Sequence, residues 1–305
     1  MASVTIENIT KTYEKGTVKA LDQVSFTVKS GELFGLIGAD GAGKTTLFRI
    51  LTTLLIPDSG KATVAGFDVV KDFKEIRKIV GYMPGKFSLY QDLSIEENLN
   101  FFATVFGTTV EENFDLIREI YVQIEPFKKR LAGKLSGGMK QKLALCCALI
   151  HEPKVLFLDE PTTGVDPVSR KEFWEMLGRL KDRGITIIVS TPYMDEAKLC
   201  DRIALIQNSQ ILDVDTLEGI LAKNKQNLFA IKSDKMYQLL KDLRTFPDTI
   251  SCFAFGQKHH AQLKSGDEVV KKLLQYLEKR GHNAIEINQI MPDIEDTFIK
   301  LMQDA

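Results

Sequence analysis

Residues 35–47 read GLIGADGAGKTTL: an apolar run, a glycine-rich loop, then a helix that opens on Lys44 and Thr45. Within it, residues 38–45, GADGAGKT, fit the pattern G-x-x-x-x-G-K-S/T. Gly41 and Gly43 let the backbone amides turn inward around phosphate oxygens. The helix that follows adds the positive end of its dipole. Lys44 brings a charge to β- and γ-phosphates, and Thr45 brings a hydroxyl ligand for Mg2+. A plain glycine turn is the alternative, and the flanking strand and helix outweigh it. The open question is whether such a chain only holds a nucleotide or also cleaves it.

Two further stretches bear on that question. In VLFLDE (155–160) an apolar strand delivers Asp159 to the carboxyl edge of a sheet, where open α/β sheets meet their ligands. Asp159 is placed to hold the Mg2+ shell, and Glu160 to polarise an attacking water. An exposed acidic pair before a proline turn is the bland alternative, and it loses weight beside the phosphate loop. LSGGMKQ (135–141) starts a second helix with Ser and Gly, and so offers a second anion site. One nucleotide already has its cradle at 38–45. A second cradle makes sense if it serves a nucleotide held by another copy, in a symmetric or pseudo-symmetric dimer. A simple capped helix start is the alternative.

The rest of the chain frames these motifs. Residues 1–30 alternate as an antiparallel hairpin with a turn near Gly16. Strands are expected at 32–38, 61–66, 78–84, 154–161 and 184–192, a helix at 44–54, and hairpin character at 201–213. The runs KVLFLDEP and GITIIVSTP are almost continuously apolar, as in strands buried on both faces of a parallel sheet. Residues 94–134 read as mostly helical. Beyond about residue 220 the order is strand 227–233, helix 235–245, strands 250–256 and 258–264, helix 267–280, strand 283–290 and helix 293–303. That order suits a small ferredoxin-like module. KHH at 258–260 reads as a solvated hairpin edge rather than a metal site.

With 305 residues, there is chain for about two domains. A net charge of −1 gives no electrostatic footprint for nucleic acid. Cys146, Cys147, Cys200 and Cys252 show no metal-ligand spacing and read as buried reduced thiols. The opening MASVTIENIT lacks the basic flank and apolar core of a signal peptide. No apolar run approaches the ~20 residues that cross a bilayer, so a membrane role is expected to act through a partner.

Together, GADGAGKTT, LSGGMKQKL, VLFLDEPTTGVDP and STPYMDEA, in that order, resemble the ATP-binding subunit of an ABC transporter over about residues 3–220. GYMPGKFSLYQDLSIEENL and MPDIEDTFIKLM are similar to the multidrug or antibiotic exporters whose membrane subunits are separate chains. The resemblance implies a P-loop NTPase fold of class α/β. It has a mostly parallel sheet core, an antiparallel N-terminal subdomain and a helical subdomain at about 86–150. That gives an ATP-binding domain over 1–220 and an accessory α+β module over 221–305. It implies ATP contacts from Gly38, Asp40, Gly41, Ala42, Gly43, Lys44, Thr45 and Thr46, with Tyr13 stacked on adenine. Thr45 and Asp159 would ligate Mg2+, with Glu160 catalytic. Ser136, Gly137, Gly138 and Gln141 would face ATP on the opposite subunit, and Asp166 would lie in the loop linking the two sites. The partners implied are a second ATP-binding subunit, the same chain or a different one, and transmembrane permease subunits. The stretch from about 86 to 135 would dock onto the latter. The implied location is the cytoplasmic face of the cell membrane, and no nucleic-acid partner is implied.

Two positions depart from the family. Where it usually carries Gln, in GYxPQ, this chain has Gly85; where it usually carries His after the strand ending ST, this chain has Pro192. Gly85 has no side chain to reach Mg2+ or water, and proline donates no hydrogen bond. Of the four histidines, His151, His259, His260 and His282, none is obviously available in their place. The expectation is ATP binding with slowed hydrolysis. Two other readings are a binding-only regulatory module and a non-transport ABC protein acting on nucleic acid or the ribosome. The latter usually carries two cassettes or a long coiled coil.

Overall fold

Alternating burial along Val18–Lys29, against a partner strand of equal length, builds the first layer. In the computed structural model, which describes residues 2–266 and 268–304, β1 (Ala2–Tyr13) and β2 (Val18–Lys29) pair antiparallel with several register shifts. β4 (Ser59–Val64) and β5 (Phe67–Asp68) extend this sheet in the order β2-β1-β4-β5.

The second sheet carries the site. β3 (Leu33–Ile37), β7 (Val155–Asp159) and β8 (Thr186–Thr191) are buried at every residue. That burial explains their largely apolar sequences, since both faces are covered by other elements. With β6 (Val80–Met83), β9 (Arg202–Gln207) and β10 (Gln210–Asp215) the order is β10-β9-β3-β8-β7-β6. All pairs are parallel except the β9–β10 hairpin. α1 (Lys44–Leu51) ends three residues before the expected 54, with Thr52 as its C-cap. α2 (Phe73–Ile79) lies between β5 and β6.

Between β6 and β7 the chain is helical in pieces. α3 (Ile95–Val105) begins with a reciprocal cap, in which Ser94 and Glu97 each accept the other's backbone N–H. α4 (Phe114–Tyr121) and α5 (Gly137–Leu149) follow, joined by short 3-10 turns rather than continuous helix. The stretch 94–134 is therefore less helical than its periodicity predicts. α6 (Pro167–Asp182) then leads into β8.

The chain divides into two compact units, Met1–Leu217 and Glu218–Ala305, with α7 (Leu217–Lys223) at the division. The second unit runs β11 (Leu228–Lys232), α8 (Met236–Thr245), β12 (Thr249–Phe255), β13 (Lys258–Leu263), α9 (Val269–Lys279), β14 (Glu286–Ile290) and α10 (Ile294–Asp304). Its sheet is antiparallel in the order β12-β13-β11-β14, the split arrangement of a ferredoxin-like module. This corrects the expectation for KHH. β13 is an interior strand; His259 is buried against the Met236 carbonyl, and His260 pairs with Asp296 at 2.9 Å.

All four cysteines are free. Burial raises the thiol pKa values of Cys146, Cys147 and Cys200, and lifts Cys252 to about 11. Cys200 is only partly buried as a residue, which amends the expectation of four buried thiols. Among the described residues, no helix is long and apolar enough to cross a membrane.

Candidate nucleotide site

The loop between β3 and α1 wraps a pocket lined by Ala20, Asp40, Gly41, Gly43, Lys44, Thr45, Thr46 and Glu160. Gly43 caps α1 at φ +110, and a Cβ there would collide with the Ala20 carbonyl. No other residue type fits both demands. Gly38 starts the loop with its N–H on the Thr191 carbonyl at 3.2 Å, and Ala42 closes a turn onto Ala39 at 3.2 Å. Tyr13 stands at the end of β1, partly exposed, its hydroxyl 3.4 Å from Thr46 Oγ1.

Lys44 is 3% exposed. Its Nζ donates to the carbonyls of Gly38 at 2.8 Å and Ala39 at 3.0 Å, and lies 3.1 Å from Glu160 Oε1. The two carbonyls fix this buried ammonium at the loop, and Glu160 occupies the direction from which phosphate charge would meet it.

β7 carries Asp159 to the carboxyl edge of the sheet, where it is buried. β8 stands between β3 and β7, and its Ser190 serves both acids. Ser190 Oγ donates to Asp159 Oδ1 at 2.6 Å and accepts from Glu160 N–H at 3.0 Å. The same N–H also meets the Ser190 carbonyl at 3.1 Å. These bonds hold Glu160 at φ +49, a conformation uncommon outside glycine. Sequence reasoning missed Ser190; its one signal is a polar residue inside an otherwise apolar buried strand.

Gly85 faces this acid pair. A Cβ built there would lie 3.1 Å from the Asp159 carbonyl and 3.8 Å from Asp159 Oδ2. Any side chain at 85 would therefore emerge beside the free carboxylate oxygen. Pro192 directly follows β8. His151 is remote from the pocket; it stacks on Phe106 at 3.7 Å with Nε2 against the Val80 carbonyl at 3.1 Å.

The donor set fits a hard dication held lightly. It consists of the Thr45 hydroxyl and the Asp159 oxygen not taken by Ser190. Mg2+ is characteristically bound through one or two protein oxygens, with water and substrate phosphates completing its shell. No group of three or more His, Cys, Asp or Glu among the described residues forms a dedicated metal cage.

The residues of the LSGGMKQ signature, 135–141, line a different place. Ser136 caps α5, its Oγ accepting from Met139 N–H at 3.4 Å. Gly138 and Gln141 border a small pocket with Thr162, Val165 and Ser169, apart from Lys44 and Glu160. A Cβ at Gly138 would stand 2.9 Å from Ser169 Oγ, so the start of α5 abuts the start of α6. Asp166 caps α6 by accepting from Ser169 and Val168 N–H at 3.0 and 3.1 Å. Those bonds, the Ser169 amide first, hold its carboxyl below the usual range.

Comparison with known proteins agrees with this architecture. The family model described as ABC transporter matches residues 21–163. The chain is 40% identical to the doxorubicin resistance ATP-binding protein DrrA of Mycobacterium tuberculosis over 99% of its length and 94% of that protein. It is 39% identical to the probable multidrug ABC transporter ATP-binding protein YbhF of Escherichia coli, and all of it spans 53% of that longer protein. Among solved structures, cbiO1 from Clostridium perfringens, part of the cbiONQ complex, superposes with a TM-score of 0.65 at 26% identity. That match covers 73% of this chain and 91% of cbiO1. The ATP-binding cassette MJ0796, dimeric with ADP and Pi, superposes with a TM-score of 0.63 at 26% identity, covering 70% of this chain and 98% of its own. A parallel sheet that presents a glycine loop and an acid pair at one edge is thus matched over the full chain by close relatives, and the chain belongs to the ABC transporter ATP-binding proteins.

Proposed function

We propose that this chain binds Mg·ATP and hydrolyses it slowly, powering export through separate transmembrane subunits. The observation that carries the reading is the Lys44–Glu160 contact of 3.1 Å across the mouth of the phosphate loop, with Asp159 beside it. It supports a site with a phosphate-binding cation, a metal-holding carboxylate and a base in one place. In this reading Tyr13 stacks on adenine, and the loop amides from Asp40 to Thr46 hold the phosphates. Thr45 and Asp159 would hold Mg2+, which would supply positive charge against the developing phosphate charge. Glu160 leaves Lys44 when phosphate arrives and takes the proton of the attacking water.

Ser136, Gly137, Gly138, Gln141 and Asp166 face a nucleotide held by a second ATP-binding subunit, the same chain or a related one. Two of the relatives, DrrA and YbhF, are named for doxorubicin resistance and multidrug transport, and MJ0796 is dimeric. These support an exporter and a nucleotide-sandwich dimer at the cytoplasmic face of the membrane. An apolar groove of about 480 Å3 between β6, α3 and α5, walled by Tyr82, Met83, Leu89, Phe102, Phe106 and Cys147, supports docking of a membrane subunit there.

Gly85 and Pro192 slow the chemistry in this reading. Losing one donor to a transition state costs about 10²–10³ in rate. The test is ATP turnover by the purified chain, by Glu160→Gln and by Gly85→Gln/Pro192→His. Slow turnover, abolished in the first variant and raised at least tenfold in the second, is the expected result. Full-rate turnover with no gain from restoring Gln and His would overturn the slowed-site reading, and absence of Mg·ATP binding would overturn the whole.

A further inference from the structure

Glu196 is a carboxylate only 1% exposed, in the 3-10 turn Met194–Leu199 just beyond Pro192. One of its oxygens, Oε1, collects three donors from three separate positions. Thr162 Oγ1 reaches it at 2.9 Å, Arg170 Nε at 2.6 Å and Trp174 Nε1 at 2.8 Å. Thr162 lies two residues past Glu160, on the turn that leaves the acid pair. Arg170 and Trp174 belong to α6, whose cap is Asp166 and whose Ser169 abuts Gly138 of α5. Arg170 also lies over the Tyr193 ring at 4.2 Å and bonds Asp195 at 3.0 Å.

A buried carboxylate is costly unless paired and fully hydrogen-bonded, and Glu196 Oε2 is buried without a hydrogen-bond partner among the described residues, so a single apolar side chain would fill this space more cheaply. What the carboxylate does that an apolar residue would not is fix three backbone segments in one register. Those segments are the turn after Glu160, the start of α6 with Asp166 beside the signature helix, and the loop carrying Pro192. Nothing else among the hydrogen bonds and ion pairs described links all three.

We infer that Glu196 is a positioning residue that couples the chain's own hydrolytic acid pair to the surface facing the opposite subunit's nucleotide, so that ATP-driven dimer closure and cleavage depend on it while ATP binding does not. This rests on the dimeric ATPase reading above. Glu196 does not line the pocket of Lys44 and Glu160; it acts through Thr162, Arg170 and Trp174.

The experiment uses the full chain. Mg·ATP affinity is measured by calorimetry, ATP-dependent dimerisation by size-exclusion chromatography in a Glu160→Gln background, and turnover in the wild-type background. Glu196→Gln keeps shape and removes charge. Thr162→Val deletes one donor with little change of volume and Trp174→Phe deletes another while shortening a buried ring system, which keeps the test open if Glu196→Gln fails to fold. The expected result is ATP affinity within threefold of the unaltered chain, with turnover and dimer population both reduced at least tenfold in Glu196→Gln. Thr162→Val should lower turnover more than dimerisation, and Trp174→Phe should lower dimerisation and turnover together. Folded variants with dimerisation and turnover within twofold of the unaltered chain would overturn the coupling and leave the ATPase reading intact. A loss of ATP affinity equal to the loss of turnover would also overturn it, since that is a general structural defect. An unaltered chain that binds no Mg·ATP would overturn the ATPase reading itself, and this inference with it.

Discussion

Asp58 belongs to no motif, yet its carboxylate fixes the end of β1. It accepts from Lys11 Nζ at 2.6 Å, Thr12 N–H at 2.7 Å and Thr12 Oγ1 at 2.8 Å, and its own N–H donates to Thr10. The next residue is Tyr13. The Lys11 bond first, then those from Thr12, hold the Asp58 pKa down to about 2. A carboxyl depressed in the folded state contributes stability that is present above its ordinary range near pH 4 and lost as pH falls toward 2. Asp58→Asn is therefore expected to lower thermal stability at pH 7 and to flatten the acid limb between about pH 4 and 2. Thermal melts of both proteins across that range check it; parallel acid limbs would contradict it. Single residues were legible in the sequence where a local pattern declares them, as Lys44 and Glu160 do. Asp58 and Ser190 were not, because their partners lie 46 and 31 residues away and only the assembled sheets bring them close.

Among the elements, the buried strands β3, β7 and β8 were readable because covering both faces favours a largely apolar run. α6 carried no such signal, and the sequence reading does not assign it; its cap Asp166 was singled out by resemblance alone. The error over KHH has the same kind of cause. Whether a strand is an edge or an interior one depends on strand order, which local sequence does not contain. Helix caps are the opposite case. Ser94 and Glu97 form a reciprocal cap on α3, whose first turn also carries Glu96. Ser94→Ala is expected to destabilise the chain by about 1 kcal/mol, the usual loss for such a cap. Urea denaturation measures this; an unchanged midpoint would show that packing of Ile95 and Leu99 alone sets the helix start.

For the molecule as a whole, the two units have separate cores. Phe229, Ile231, Leu243, Leu263 and Leu273 form one cluster without members from before residue 218. Its polar counterpart joins Asp242, His282 and Arg280. Burial would raise the Asp242 pKa, but hydrogen bonds from His282, Gln238 and Arg280 outweigh it and hold the carboxyl below its usual value. A fragment of residues 218–305 is expected to fold alone and melt cooperatively, with stability lost as pH falls through the acid range where Asp242 takes a proton. Circular dichroism decides this: a fragment without a cooperative transition would mean that the core needs the rest of the chain. The βαββαβ order of this unit was legible, since its strands and helices alternate clearly, whereas its chemistry was not, because no motif marks it.

The place of β8 has a consequence for how this chain can change. Since β8 separates the loop strand from the acid strand, the gap between them is two strand spacings, roughly 10 Å. That width is a gauge cut by backbone hydrogen bonding, and side chains cannot alter it. Gly85 and Pro192 both hang on connections just past the sheet edge. On the proposed reading, substitution there would trim the reagents of the reaction and leave the jaws of the vice at their set opening. On that reading a descendant chain would gain or lose speed at those two positions many times over without ever having to rebuild its grip.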